Sequence, residues 1–186
     1  MKTELRYGII GAGSMGREHI ENIKVMGGAA VTAISDPHKP SQDAALAMAP
    51  GAAVFSDHRA LLDSGLVDAV VIATPNDTHA AVLKDALATD LAVFVEKPLA
   101  TTVEDLKSIL AWDDKRSAMT WMGLEYRFMP PVAEAIARAK REKLARFIKF
   151  RSVSTVNLFI QRLITGIDLQ NVRAELWLKS VATIST

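Results

Sequence analysis

Three groups of residues in this chain have types and spacings that can do chemistry. The first is Gly11-Ala12-Gly13-Ser14-Met15-Gly16, which follows the short apolar run Tyr7 to Ile10. A strand, a glycine turn and a helix start in that order can cradle a diphosphate. Gly11 permits the tight turn, Gly13 lets backbone approach the phosphates, and Gly16 allows close helix–strand packing. Free N–H groups and the helix dipole favour the anion there. The second is Asp36, twenty residues after Gly16 and at the end of the run Val31 to Ser35. A carboxylate at that place accepts from a ribose hydroxyl and repels a 2′-phosphate, which favours NAD. His38 and Lys39 follow at once and soften that exclusion, so NADP stays an alternative. The bland reading of the glycines is a turn in an α/β protein that holds no nucleotide.

The third group lies in two loops after apolar runs. In Ala73-Thr74-Pro75-Asn76-Asp77-Thr78-His79, Pro75 stiffens the turn and Asn76 or Asp77 can cap the next helix. His79 falls near that helix start, facing either a crevice or a neighbouring helix, and by itself reads first as a packing residue. Glu96-Lys97-Pro98 follows the run Leu91 to Val95. A surface ion pair there would contribute little. The alternative is a cation held beside a redox ring and a reacting oxygen, where it stabilises developing alkoxide charge in a water-poor site.

The elements that must position these residues alternate. Strands are expected at Leu5 to Ile10, Ala30 to Ser35, Ala53 to Phe55, Asp68 to Ala73, Leu91 to Val95 and Met119 to Met122. Helices are expected at Ser14 to Met26, with Met15, His19, Ile23 and Met26 on one stripe, at Gln42 to Met48, in a short stretch capped by Asp57 and running through Leu62, and at Asn76 to Ala88 and Thr102 to Trp112. Pro37 and Pro40 should break the chain before the second helix. Right-handed crossovers then give an α/β fold, a doubly wound parallel sheet of Rossmann type in the order 3-2-1-4-5-6. Ligands bind such a sheet outside the carboxyl ends of its strands, where all three groups fall. Beyond Pro130-Pro131 a helix is expected from Val132 to Arg141. The alternating stretch Ala145 to Val153 reads as a strand with one wet face, the start of a second α/β domain.

Bulk composition narrows the class. The 186 residues are 49% hydrophobic and 23% charged, with net charge +1, which argues for an ordinary globular domain and against nucleic acid as a partner. The basic run Arg138, Lys140, Arg141, Lys143 and Arg146 lacks aromatic platforms and reads as a solvated helix face. No apolar run reaches the roughly 20 residues that span a bilayer, so no membrane partner is expected. Absent cysteines exclude disulfides and thiolate metal sites, and no metal site is expected. A start that runs directly into a strand, with no leader pattern, suggests a cytoplasmic protein.

Taken together the pieces resemble the Gfo/Idh/MocA oxidoreductases, a family that includes inositol dehydrogenases and glucose–fructose oxidoreductase. The resemblance rests on the glycine turn, Ser35-Asp36-Pro37, Thr74-Pro75-Asn76 with His79, Glu96-Lys97-Pro98, and Glu125-Tyr126-Arg127-Phe128 with Pro130 and Pro131. It covers roughly residues 3 to 151. It implies an NAD(P)-dependent dehydrogenase acting on a small sugar or polyol, with Lys97 at the reaction centre. Gly11, Ala12, Gly13, Ser14, Met15, Gly16, Asp36, Thr74, Pro75, Asn76, His79 and Glu96 would hold or line the cofactor site. It also implies a homo-oligomer built through a longer second domain, which supplies an Asp and an acid–base His.

The tail departs from that pattern. After Val153 there is no His, and Asp168 stands alone. With allowed codons for Thr165 through Thr186, a shifted reading frame can spell WNRFTERTGGTMVEKCCHYFD, which resembles the family's second domain. A frameshift near residues 149–153 is therefore expected. The domains read as 1–123, an NAD(P)-binding Rossmann domain; 124–153, a bridge and first strand of an incomplete second domain; and 154–186, an out-of-frame tail. The oligomer-forming domain would then be missing and activity crippled. A non-catalytic dinucleotide-binding module, or a nonfunctional gene fragment, is the alternative function.

Overall fold

β4 (Ala69–Ile72) is Ala-Val-Val-Ile and every residue is buried, as a strand covered on both faces requires. It pairs in parallel with β1 (Leu5–Ile10) on one side and β5 (Ala92–Val95) on the other. β2 (Ala29–Ser35), β3 (Ala53–Phe55) and β6 (Thr120–Met122) complete a six-stranded parallel sheet in the order β3-β2-β1-β4-β5-β6. That is the expected doubly wound order, with its reversal point between β1 and β4. The structure, a computed structural model, describes residues 4–141. The expected strand Ala145 to Val153 and the tail lie outside the described residues.

The chain divides into two compact units, Met1–Gly123 and Leu124–Thr186. In the first, α1 (Ser14–Met26) and α2 (Lys39–Met48) cover one face of the sheet. Ile9, Ile34 and Val71 pack there against Ile20, Ile23 and Ala45. Burying an isoleucine fully stabilises by roughly 1.5–3 kcal/mol, so these contacts dominate the cohesion of the layer. α3 (His58–Leu62), α4 (His79–Ala86) and α5 (Val103–Asp113) follow on later crossovers. Leu61 of α3 packs so closely on β1 that a Cβ at Gly8 would stand 2.8 Å from it. In the second unit, a 3₁₀ turn (Glu125–Phe128) leads into α6 (Pro130–Arg141).

Local chemistry corrects several expectations. The inward face of α1 is Gly16, Ile20 and Ile23, with His19 half-buried beside them; of the expected stripe Met15 and Met26 are exposed, at 40% and 61%. The glycine itself is the contact residue, so a pattern read from apolar side chains landed on the wrong edge. α2 starts at Lys39, and Pro40 sits in its first turn, where a missing N–H costs nothing. Asn76 and Asp77 cap nothing. The Asn76–Thr78 segment is a 3₁₀ turn closed by Thr78 N–H to Pro75 O at 2.9 Å, and α4 begins at His79. Thr102 is the cap of α5 rather than its first residue; its hydroxyl accepts from Asp105 N–H at 3.1 Å.

Candidate functional site

The turn after β1 is shaped by two carbonyls. Gly11 has φ +93, a region open to glycine at little cost, and a Cβ there would meet Ala73 O at 2.6 Å. A Cβ on Gly16 would stand 1.9 Å from Gly11 O, so the first turn of α1 lies directly on the loop. Gly13 is different. Its φ is −64, and nothing lies within 4 Å of a Cβ built on it. α1 therefore starts with its N-terminal amides under open space. No side chain caps them and its first turn holds no acidic residue. An anion is the natural complement of that arrangement. The residues present thus fit a dinucleotide diphosphate.

Asp36 closes one side of the turn. Its Oδ2 accepts Ala12 N–H at 2.7 Å and its Oδ1 accepts His38 N–H at 2.8 Å. Each oxygen keeps a second acceptor direction. Gln42, 6% exposed, donates from its amide to Asp36 O at 2.6 Å and so fixes the end of β2 from below. No sequence signal marked Gln42. It is a polar residue in a short helix whose role appears only when β2 and α2 meet.

The loop after β4 carries Thr74 half-buried, with Pro75 and Asn76 exposed. The Thr78 hydroxyl donates to Pro75 O at 2.7 Å and lies 2.8 Å from the Thr74 hydroxyl. His79 is fully buried and faces no crevice. Its Nδ1 lies 2.6 Å from Pro98 O and its Nε2 2.9 Å from Thr74 O. The ring therefore joins the loop after β4 to the loop after β5. The packing reading of this histidine is the one the geometry favours.

Glu96 and Lys97 part company. Glu96 is 7% exposed and turns inward, where the Nε2–H of His19 donates to its Oε1 at 2.9 Å. Lys97 is exposed. Among the described residues its ammonium has no partner, so the surface ion pair with Glu96 is absent. The Lys97–Pro98 peptide bond is cis. His19 had no assigned role in the sequence, and its partner lies 77 positions away. His58, also unassigned, bonds Asp85 at 2.8 Å between α3 and α4, away from these loops. No cluster of metal-ligating side chains occurs among the described residues.

A broad open groove of about 540 Å³ runs beside α1, lined by Ser14, Arg17, Glu18, Glu21, Asn22 and Met48. Its two carboxylates make it a poor place for a diphosphate. The loops after β1, β2, β4 and β5 remain the coherent site. They are bound to one another by Gly11 N–H to Ser35 O, Ala12 N–H to Asp36 and the two His79 contacts.

A doubly wound parallel sheet with a glycine turn at its reversal point defines the class of nucleotide-binding Rossmann domains. Residues 5–124 match the oxidoreductase family described as having an NAD-binding Rossmann fold, and the chain belongs to that family. An inositol 2-dehydrogenase of Leifsonia xyli is 47% identical over 97 residues, covering 52% of this chain and 28% of that protein. The inositol 2-dehydrogenase/D-chiro-inositol 3-dehydrogenase of Lacticaseibacillus casei is 37% identical over 142 residues, covering 75% and 40%. Among solved structures, myo-inositol dehydrogenase from Lactobacillus casei, in complex with NAD(H) and myo-inositol, superposes with TM-score 0.68. It has 33% identity, over 74% of this chain and 40% of that one. The WlbA dehydrogenase from Bordetella pertussis, in complex with NADH and UDP-GlcNAcA, gives TM-score 0.71 at 27% identity, over 77% and 44%. The chain spans 28% and 40% of the lengths of the two curated relatives.

Proposed function

We propose that this chain binds NAD(H) at the glycine turn and is the cofactor-binding part of a polyol dehydrogenase of inositol type. The observation that carries this reading is the open, uncapped start of α1 over Gly13. Amides there receive the diphosphate, and the free acceptor directions of Asp36 receive the ribose hydroxyls. Asn76 and Thr74 line the loop where the rest of the cofactor extends. When bound, the nicotinamide accepts or returns a hydride. Lys97 holds its ammonium at the carboxyl edge of β5, unpaired among the described residues, and is therefore free to meet the oxygen of a carbinol or carbonyl. A cation there stabilises alkoxide charge as it develops. The curated relatives named above supply the polyol class by similarity.

The chain as it stands binds cofactor without useful turnover. Its four histidines are all engaged: His19 with Glu96, His38 with Ser41, His58 with Asp85, and His79 with two carbonyls. After Val153, where the family resemblance expects an acid–base His, this chain has none, and that contribution is commonly worth about 10²–10⁴-fold. Calorimetric titration with NADH and NADPH separately, followed by a myo-inositol oxidation assay at saturating NAD, tests the reading. Heat with NADH and no appreciable turnover is the expected pair of results. No heat with either coenzyme overturns the binding reading, and brisk oxidation overturns the second part.

A further inference from the structure

Glu96 sits in a box with three named walls. His19 Nε2–H donates to its Oε1 at 2.9 Å, and Lys97 N–H donates to its Oε2 at 3.2 Å. Gly123 closes the third side. A Cβ there would meet Phe94 Cζ at 2.9 Å and Glu96 Oε1 at 3.2 Å, so a larger residue would press on the Phe94 ring and the carboxylate. The His19 ring is itself held edge-on against Phe94, with centroids 5.1 Å apart. The side chains of His19 and Glu96 are only 18% and 10% exposed. Hydrogen bonds to an ionised partner in so dry a setting are stronger and more directional than at a surface.

The place of this pair in the fold gives it meaning. His19 lies one turn beyond Gly16 on α1, the helix whose start faces the glycine turn. Glu96 ends β5 and adjoins Lys97. We propose that His19 is a positioning residue for Lys97. It locks the Glu96 carboxylate, the carboxylate holds the Lys97 backbone N–H, and the place from which the Lys97 side chain springs is thereby fixed relative to the diphosphate helix. The inference rests on the reading of Lys97 given above, but its geometry exists in the cofactor-free chain. His19 touches neither the diphosphate turn nor the ammonium and acts only through Glu96.

The test therefore uses the 186-residue chain without cofactor. Amide hydrogen exchange at Lys97 N–H is measured by NMR in the unsubstituted chain, in His19→Leu and in His19→Gln. The Val70 and Val71 amides of β4 report on the rest of the sheet. Losing the buried donor should open the loop by about tenfold, close to the worth of one hydrogen bond to a charged group. His19→Leu is expected to speed exchange at Lys97 by about that factor and leave Val70 and Val71 unchanged. His19→Gln, which keeps an N–H donor, is expected to restore most of the protection. If His19→Leu does not fold, Glu96→Gln removes the charge from the same bond and should speed Lys97 exchange likewise. Unchanged Lys97 exchange overturns the proposal. Equal acceleration at Val70 and Val71 does so too, because the pair would then serve the whole sheet. A chain that binds no NADH overturns the proposed function and leaves this result standing.

Discussion

The Asp36 carboxylate accepts the Ala12 N–H at 2.7 Å, tying the end of β2 to the glycine turn after β1. One side chain thus shapes the turn and also presents acceptors toward the space above it. Replacing Asp36 by alanine should act on both. NADH affinity is expected to fall by about tenfold or more, and NADPH affinity to fall less or rise, because the charge that repels a 2′-phosphate is gone. Titrating both coenzymes against the variant checks this. Unchanged NADH affinity would remove Asp36 from the site.

His79 should matter for stability before it matters for chemistry. Its buried ring bridges Thr74 O and Pro98 O. His79→Leu keeps the bulk and deletes the ring N–H. A buried carbonyl left without its donor costs about 1–3 kcal/mol, so the urea midpoint should drop clearly. A change below about 0.5 kcal/mol, within the range of an ordinary surface substitution, would contradict the bridging role.

Much of this architecture was legible in the chain. The apolar run through β4 and the spacing of Gly11, Gly13, Gly16 and Asp36 announce the sheet order and the turn, because both depend on local periodicity and backbone freedom. What stayed hidden depends on distant partners. Nothing near His19 in the chain points to Glu96, and nothing near Gln42 points to the ends of β2 and β3. The α1 stripe was misplaced in part because Gly16 has no side chain to register on an apolar scale, although it is buried and a Cβ on it would stand 1.9 Å from Gly11 O. Glu96 and Lys97 are neighbours in sequence, which suggested a pair. Their side chains part at the strand end, one turning in and the other out to solvent.

Acid stability should carry the signature of Asp68. Three Arg6 donors (the backbone N–H, Nε and Nη2) hold its carboxylate at 2.9, 3.1 and 2.7 Å, joining β1 to the start of β4. The Arg6 guanidinium, chiefly by these hydrogen bonds, pulls the Asp68 carboxyl down from 3.8 to about 2. A lowered value in the folded chain stabilises it above the ordinary carboxylate range, and that contribution is lost as pH falls toward about 2. Asp68→Asn should therefore unfold at a lower temperature than the unsubstituted chain at pH 7. The gap should close as pH is taken from 4 to 2. A gap that is constant with pH would contradict the assignment.

The tail makes a prediction about the gene. The nucleotide sequence across residues 149–186 should, in a shifted phase, continue the family-like reading found from Thr165 onward. Stop codons early in that phase, or codon choices that spell a different string, would remove the frameshift idea and leave the tail as a genuine feature of the protein.

The most direct test of the account is calorimetry on Gly13→Ala. Gly13 has φ −64, which alanine adopts without strain, and its added methyl meets nothing within 4 Å. The fold should not notice the change, and the melting temperature should stay within about 2 °C. The methyl would, however, stand where a diphosphate must approach the α1 amides, so NADH affinity should fall by at least about tenfold. A Gly13→Ala chain that binds NADH as tightly as the unsubstituted one would show that the cofactor does not lie over this turn.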